Sequence, residues 1–249
     1  MRRWNPQQPL FYPMDKILKI GHRGAPSLAP ENTIPSFKKA IEAGIQGIEL
    51  DLQFSADRQL VVFHDWDLIN LTGSKSKIED IQYSDIKNIS RNQEGEDVYI
   101  PLFQEVLEII PRDCIINVEI KSAYIRNTGI EKSVLELLGY YNLEGNCIIS
   151  SFNPIILRRV RKLDSKIPTA FLWSNDNPLF IINSPLWVWY CQPDGFHPDI
   201  NDLNEQLMNW ARKKHMKIIT FIINNQSNLN KALKLGVDGI FTDFPHIID

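Results

Sequence analysis

An α/β fold of the (β/α)8 TIM-barrel type, with a small insertion after the second barrel strand, is the architecture this sequence predicts. Three observations lead to it. The chain has 249 residues, close to the ~250 typical of one such barrel. Short apolar runs alternate with amphipathic segments along most of the chain, the pattern of parallel βαβ units. No G-x-G-x-x-G follows any apolar run, so the main signature of an open doubly wound sheet is missing.

The elements follow in order. Strands are expected near 17–21, 47–53, 115–120, 147–150, 168–172, 195–198, 217–223 and 239–241. Helices are expected near 31–44, 101–110, 129–141, 153–164, 202–216 and 226–235. The segment 202–216 has the clearest helical period, with Leu203, Leu207, Trp210 and Ala211 on one face and Asp202 as the expected N-cap. Gly236 follows the last helix as its stop signal. The stretch 54–98 breaks the alternation. An apolar run at 60–63 predicts a hairpin around Ala56-Asp57-Arg58, and a polar stretch from Thr72 to Gln93 follows. It reads as an insertion within a single domain spanning 1–249.

Composition narrows the function classes. Apolar residues make up 43% and charged residues 23%, ordinary for a globular protein with a sizeable core. The 27 Lys+Arg against 30 Asp+Glu leave a net charge of -3, which argues against a protein that coats nucleic acid. Any anion must be held by a local site. Cys114, Cys147 and Cys191 are odd in number and form no C-x-x-C pair, so buried free thiols are expected. No apolar run reaches the ~18 residues of a membrane span. Met1-Arg2-Arg3 and the proline-broken stretch after it lack the apolar core of a secretory signal. A cytoplasmic protein without stable membrane insertion is the expectation. Trp187, Trp189 and Tyr190 form an aromatic cluster, for which core packing is expected over a lipid-facing rim.

Chemistry concentrates on two strands. In Gly47-Ile48-Glu49-Leu50-Asp51-Leu52-Gln53 the period of two sends Ile48, Leu50 and Leu52 to one face and Glu49, Asp51 and Gln53 to the other. With the apolar set under the helices, two carboxylates point together into the barrel, where they repel and lose hydration. A divalent cation with oxygen ligands resolves both costs. Ile116-Asn117-Val118-Glu119-Ile120-Lys121 repeats the pattern and adds a third carboxylate and a cation near the C-terminal end of the next barrel strand, the end where barrel active sites form. An internal ion pair of Lys121 with Glu119 or Glu49 is the structural alternative. The recurrence of the pattern on neighbouring strands favours a site.

Two of the five histidines follow apolar strands that flank the first carboxylate strand. His22 lies in Gly21-His22-Arg23-Gly24, and His64 precedes Asp65. Such a pair can supply a general base and a general acid near neutral pH, and Arg23 adds a bidentate oxyanion donor beside His22. His215, expected within a helix, and His246, in the tail, read as structural or exposed. His197 could line the mouth and has no assigned role.

These blocks together resemble the glycerophosphodiester phosphodiesterase family. The resemblance rests on His22-Arg23-Gly24 with Ala29-Pro30-Glu31-Asn32-Thr33, on Glu49-Leu50-Asp51, on Phe63-His64-Asp65 and on Ile100-Pro101-Leu102. It continues through Asn117-Val118-Glu119-Ile120-Lys121, Ser151-Phe152 and Gly236-Val237-Asp238-Gly239-Ile240-Phe241-Thr242-Asp243-Phe244-Pro245. The resemblance implies one Mg²⁺ or Ca²⁺ held by Glu49, Asp51 and Glu119. It implies His22 and His64 as the acid–base pair, Arg23 and Lys121 as the groups that hold the phosphodiester, and hydrolysis of a small glycerophosphodiester to sn-glycerol 3-phosphate and an alcohol. Where the family usually carries a Trp lining the pocket, this chain has Phe221, and Pro26-Ser27 replaces a small Ser-Gly pair. Both differences bear on the headgroup and neither touches a charged group. Three rival activities fit the same chain less well. A phospholipase D-like activity on lysophospholipids would share the whole set of residues. A non-catalytic phosphodiester-binding barrel is expected to have lost a His or a carboxylate. A nuclease is disfavoured by the charge balance.

Overall fold

The computed structural model describes residues 17–93, 96–122, 125–176 and 185–248. The N-terminal stretch read above for a secretory signal lies outside the described residues. In chain order the strands are β1 (Leu18–Gly21), β2 (Gly47–Phe54), β3 (Leu60–Val62), β4 (Ser90–Gln93), β5 (Glu96–Tyr99), β6 (Ile115–Ile120), β7 (Cys147–Ser151), β8 (Thr169–Trp173), β9 (Gly195–Pro198), β10 (Lys217–Thr220) and β11 (Gly239–Thr242). The helices are α1 (Ile34–Glu42), α2 (Ile69–Thr72), α3 (Tyr83–Lys87), α4 (Phe103–Leu107), α5 (Ile130–Tyr141), α6 (Pro154–Leu163), α7 (Pro185–Cys191), α8 (Glu205–Lys213) and α9 (Gln226–Leu235).

β1, β2 and β6 to β11 pair in parallel in a closed ring, which β1 completes by bonding to both β11 and β2. The α/β barrel expected from the sequence is therefore what forms. β1 meets β2 at only two positions, Ile20–Gly47 and Gly21–Ile48, because it ends in a turn at Gly21. The β2 edge beyond is taken by antiparallel β3, with Leu52 opposite Val62 and Phe54 opposite Leu60. The hairpin between them turns at Ala56-Asp57-Arg58, with Arg58 left-handed at φ 64° and Ser55 Oγ accepting from the Gln59 amide at 3.0 Å.

The period of two divides the core as the sequence implied. Ile48, Leu50 and Leu52 of β2 and Ile116, Val118 and Ile120 of β6 pack outward against α1, α4 and α5. Leu18, Ile20, Ile115, Ile148, Ala170, Ile219 and Phe241 fill the barrel interior. Each fully buried aliphatic or aromatic side chain contributes roughly 1.5–3 kcal/mol relative to exposure. The insertion has its own small core of Val61, Phe63, Leu68, Ile78, Ile86 and Ile100. Its polar stretch, Thr72 to Gln93, contains α3 and β4, the latter paired with β5.

Several expectations are corrected. The helix expected over 202–216 runs only from Glu205 to Lys213. Asp202 is not its cap, because its carboxylate is taken by the backbone and side-chain amides of Asn175 at 2.8 and 2.6 Å. Asn204 caps instead, accepting from the Leu207 amide at 2.9 Å. His215 therefore lies beyond the helix, exposed and left-handed at φ 59°. The strand expected over 217–223 stops at Thr220. α7 was not foreseen. It turns Val188 and Cys191 inward, three residues apart on one face. The aromatic cluster accordingly does not pack wholly into the core: Trp187 meets Tyr190 edge-on at 5.7 Å, while Trp189 is 75% exposed. His197 does not line the mouth. It is fully buried in β9, its ring against Phe241 at 5.1 Å.

Candidate active site

The register of the two carboxylate strands builds the centre. β2 and β6 are neighbours, with Glu49 opposite Asn117 and Asp51 opposite Glu119. One carboxylate oxygen from each of Glu49, Asp51 and Glu119 lies within 4.8 Å of the other two. Glu49 and Asp51 are buried, so the repulsion and desolvation foreseen from the sequence are present. Burial pushes Glu49 well above the usual carboxylate range, and the charges of Asp51 and Glu119 add to the push. Burial also acts against Asp51, but Lys121, Arg23, His64 and a hydrogen bond from Asn32 outweigh it and hold that carboxyl low. Asn32 Nδ2 donates to Asp51 Oδ2 at 2.8 Å.

The turn after β1 carries His22 and Arg23. Gly24, at φ 90°, lies so close to α1 that a Cβ there would sit 2.4 Å from Ser36 Oγ, so this position needs glycine. Ser36 Oγ ties the turn down, donating to the Arg23 carbonyl at 3.0 Å and accepting from the Ala25 amide at 2.8 Å. The Arg23 amide donates to Glu49 Oε2 at 2.8 Å. Its guanidinium bonds Glu31 at 3.0 Å and lies 3.4 Å from Asp51 Oδ2. His22 Nδ1 contacts Asp243 Oδ1 at 2.7 Å. Burial raises Asp243, but the hydrogen bond and charge of His22 more than reverse it.

His64 lies just past β3, and its Nδ1 contacts Asp65 Oδ1 at 2.8 Å. Gln53, the third inward residue of β2, holds this segment through its amide, which donates to the carbonyls of Phe63 and Asp65 at 2.8 Å. Lys121 follows β6, with Nζ 3.4 Å from Glu119 and 3.6 Å from Asp51. Its ion partners are thus Glu119 and Asp51. Phe221 follows β10, half-buried and edge-on to Phe152 at 6.2 Å.

Glu49, Asp51, Glu119, Arg23 and Lys121 thus share one cluster, with His22 and His64 carried beside it on separate turns. Sequence reasoning gave no role to Asp243, Asp65, Asn32, Gln53 and Glu31, which orient this set. Asp65 could have been noticed beside His64. Asp243 is brought to His22 only by the β1–β11 pairing that closes the barrel, where Gly21 lies opposite Thr242. Asn224 Nδ2 in turn donates to Asp243 Oδ2 at 2.5 Å.

The donor set fits a hard divalent cation. All three groups are carboxylates, and Asp51 Oδ1 is buried without a hydrogen-bond donor. Oxygen-only ligation of this kind suits Mg²⁺ or Ca²⁺ over zinc.

Comparison with known proteins agrees with the geometry. Residues 22–247 match the glycerophosphoryl diester phosphodiesterase family. The chain is 34% identical over 241 residues to a glycerophosphodiester phosphodiesterase of Bacillus altitudinis, covering 93% of this chain and 96% of the relative. It is similar to the solved glycerophosphodiester phosphodiesterase of Thermotoga maritima, with a TM-score of 0.75 and 31% identity over 93% of this chain and 96% of the other. It is also similar to a phosphodiesterase of Oleispira antarctica solved in complex with the product sn-glycerol-3-phosphate, with a TM-score of 0.82 and 25% identity over 95% of each chain. By its fold, by the residues gathered at its barrel mouth and by these likenesses, the chain belongs to the glycerophosphoryl diester phosphodiesterase family.

Proposed function

We propose that this protein hydrolyses small glycerophosphodiesters to sn-glycerol 3-phosphate and an alcohol, with a divalent cation, Mg²⁺ or Ca²⁺, held by Glu49, Asp51 and Glu119. The observation that carries the reading is the convergence of three carboxylate oxygens within 4.8 Å, flanked by Arg23 and Lys121 and by two histidines each anchored through Nδ1 to a carboxylate. Family membership and the product seen in the Oleispira antarctica relative support it.

Each anchored histidine keeps its Nδ1 turned to a carboxylate, which leaves Nε2 to exchange a proton. One of His22 and His64 takes a proton from the attacking hydroxyl, and the other gives one to the departing oxygen. Arg23 and Lys121 hold the diester and offset charge that grows on its oxygens. Phe221 lines the pocket wall. A bound dication supplies further stabilisation of a non-bridging oxygen. Charge balance is consistent with this assignment: three carboxylates against Arg23, Lys121 and a dication leave one positive charge, which the anionic diester neutralises.

The test is release of sn-glycerol 3-phosphate from a panel of glycerophosphodiesters, with EDTA and with Mg²⁺ or Ca²⁺ restored. His22→Ala and His64→Ala are expected to lose about 10²-fold or more, while His215→Ala stays near wild type. Equal losses in His215→Ala and His64→Ala would remove the acid–base assignment.

A further inference from the structure

Lys121 lies one residue beyond β6, where the pairing that fixes the strand runs out. On the β2 side one bond continues, the Lys121 amide donating to the Leu52 carbonyl at 3.0 Å. On the β7 side the register ends at Glu119 opposite Ser150. β7 stops at Ser151, and the chain turns into α6. The first residue of α6, Pro154, has no N–H to offer. Side chains hold the carbonyls on either side of Lys121 instead. Ser151 Oγ donates to the Ile120 carbonyl at 2.8 Å, and Asn153 Nδ2 donates to the Ser122 carbonyl at 3.0 Å. Both donors are buried, and each is fixed in turn. Ser151 Oγ accepts from the Asn153 amide at 3.1 Å. Asn153 Oδ1 caps α6 by accepting from the Ile155 amide at 3.0 Å, which directs Nδ2 to Ser122. Phe152, between them, meets Phe221 edge-on.

We propose that Ser151 and Asn153 are positioning residues for Lys121: they carry the β6–β7 ladder past its last paired residue and so fix where the ammonium meets the phosphodiester. The proposal rests on the hydrolytic reading above and deepens it. The lysine stem is flexible, so its ammonium is aimed only if the backbone that bears it stays still. Nζ lies 3.4 Å from Glu119 and 3.6 Å from Asp51. A backbone shift lets it settle onto one carboxylate and away from an incoming phosphate. A donor stabilises a transition state to the extent that it is already in place, and a misplacement of about 1 Å can cost 10²-fold in rate. Ser151 and Asn153 come from β7 and the turn after it, which carry none of Glu49, Asp51 and Glu119. Their effect on the reaction therefore runs through Lys121 and leaves the carboxylates in place.

The experiment measures kcat/KM for sn-glycerol 3-phosphate release from a panel of glycerophosphodiesters by the metal-loaded enzyme. Ser151→Ala and Asn153→Ser are each made in the wild type and in Lys121→Met. Serine is an N-cap of similar strength to asparagine, so Asn153→Ser should keep α6 and a near-normal thermal melt while losing the donor to Ser122. In the wild-type background each substitution should lower kcat/KM by about 10-fold to 10²-fold, mostly in kcat. In Lys121→Met the same substitutions should change it by less than about twofold, because the group they position is gone. In metal-free protein labelled with ¹³C at lysine Cε, the resonance that Lys121→Met removes should move in both variants. Equal losses in the two backgrounds, or a Lys121 resonance that stays in place, would overturn the proposal and leave Ser151 and Asn153 a structural role only. If the wild type releases sn-glycerol 3-phosphate from no diester, the hydrolytic reading fails and the catalytic role of the pair fails with it, while the resonance still reports whether they hold Lys121.

Discussion

Replacing Asp243 by asparagine tests whether the anchor on His22 acts through the ring's protonation pattern. Asp243 Oδ1 faces His22 Nδ1 at 2.7 Å, and its Oδ2 accepts from Asn224 Nδ2 at 2.5 Å. The orientation of Asn224 is fixed, because its Oδ1 accepts from the Asp243 amide at 2.9 Å. In Asp243→Asn the new amide oxygen must stay opposite the Asn224 donor, which turns the new NH₂ group toward His22 Nδ1. Two donors cannot share that contact, so the ring proton moves to Nε2, the nitrogen that exchanges a proton with substrate, and the doubly protonated ring loses its acceptor. A charge-assisted hydrogen bond of about 1.5–3 kcal/mol is lost as well. Together these predict a fall in kcat/KM of roughly 10²–10⁴-fold, the range of a general acid–base contribution. Asp243→Ala removes the anchor without forcing the wrong tautomer, so it should lose less than the near-isosteric variant. The assay is sn-glycerol 3-phosphate release under metal saturation, with the ¹⁵N shifts of the His22 ring reporting its tautomer. An Asp243→Asn enzyme with near-normal kcat/KM, or with its ring proton still on Nδ1, would refute the reasoning.

Three further outcomes follow from the same geometry. Mg²⁺ or Ca²⁺ at about a hundred times its Kd should stabilise the folded protein by about 2.7 kcal/mol, read as a rise in Tm that Glu49→Gln largely abolishes; an equal rise in the variant would remove Glu49 from the ligand set. Lys121→Met should weaken the metal-free protein, because Asp51 and Glu119 lose a counter-ion, yet once metal-loaded it should fold and still lose about 2–4 kcal/mol of transition-state stabilisation; near-normal kcat/KM in that loaded variant would limit Lys121 to a structural role. His197 is buried with neither ring nitrogen hydrogen-bonded, and burial holds it at about 3. Below its ordinary value of 6.5 the unfolded chain takes a proton that the native ring refuses, so its contribution is intact above that pH and is lost as pH falls toward 3. Between pH 7 and 5 the loss is roughly 2 kcal/mol, and denaturant titrations should show His197→Leu escaping it; an unchanged pH slope would mean the ring finds a proton-stabilising partner.

The sequence by itself determined the barrel, the hairpin after its second strand and the inward faces of two strands. Period-two alternation is local: Glu49 and Asp51 must share a face opposite Ile48 and Leu50, as must Asn117, Glu119 and Lys121 opposite Val118 and Ile120, whatever lies beyond. The place of His22 and Arg23 at the end of the first strand was equally legible, but the need for glycine at Gly24 comes from its approach to Ser36 of α1. Helix boundaries were less so. Asp202 had the right chemistry for a cap, but Asn175, brought in from the end of β8, had already taken its carboxylate. The exposure of Trp189 depended on which residues α7 turned toward the barrel, and residue type alone argued for burial. The tertiary structure alone decided the supports of the site. Asp51 met Glu119 through interstrand register, Asp243 reached His22 across 221 positions of chain, and Gln53 reached over the hairpin to hold the His64 segment. Such contacts depend on ring closure and strand register, which involve residues far apart in the chain, and no local period in the sequence encodes them.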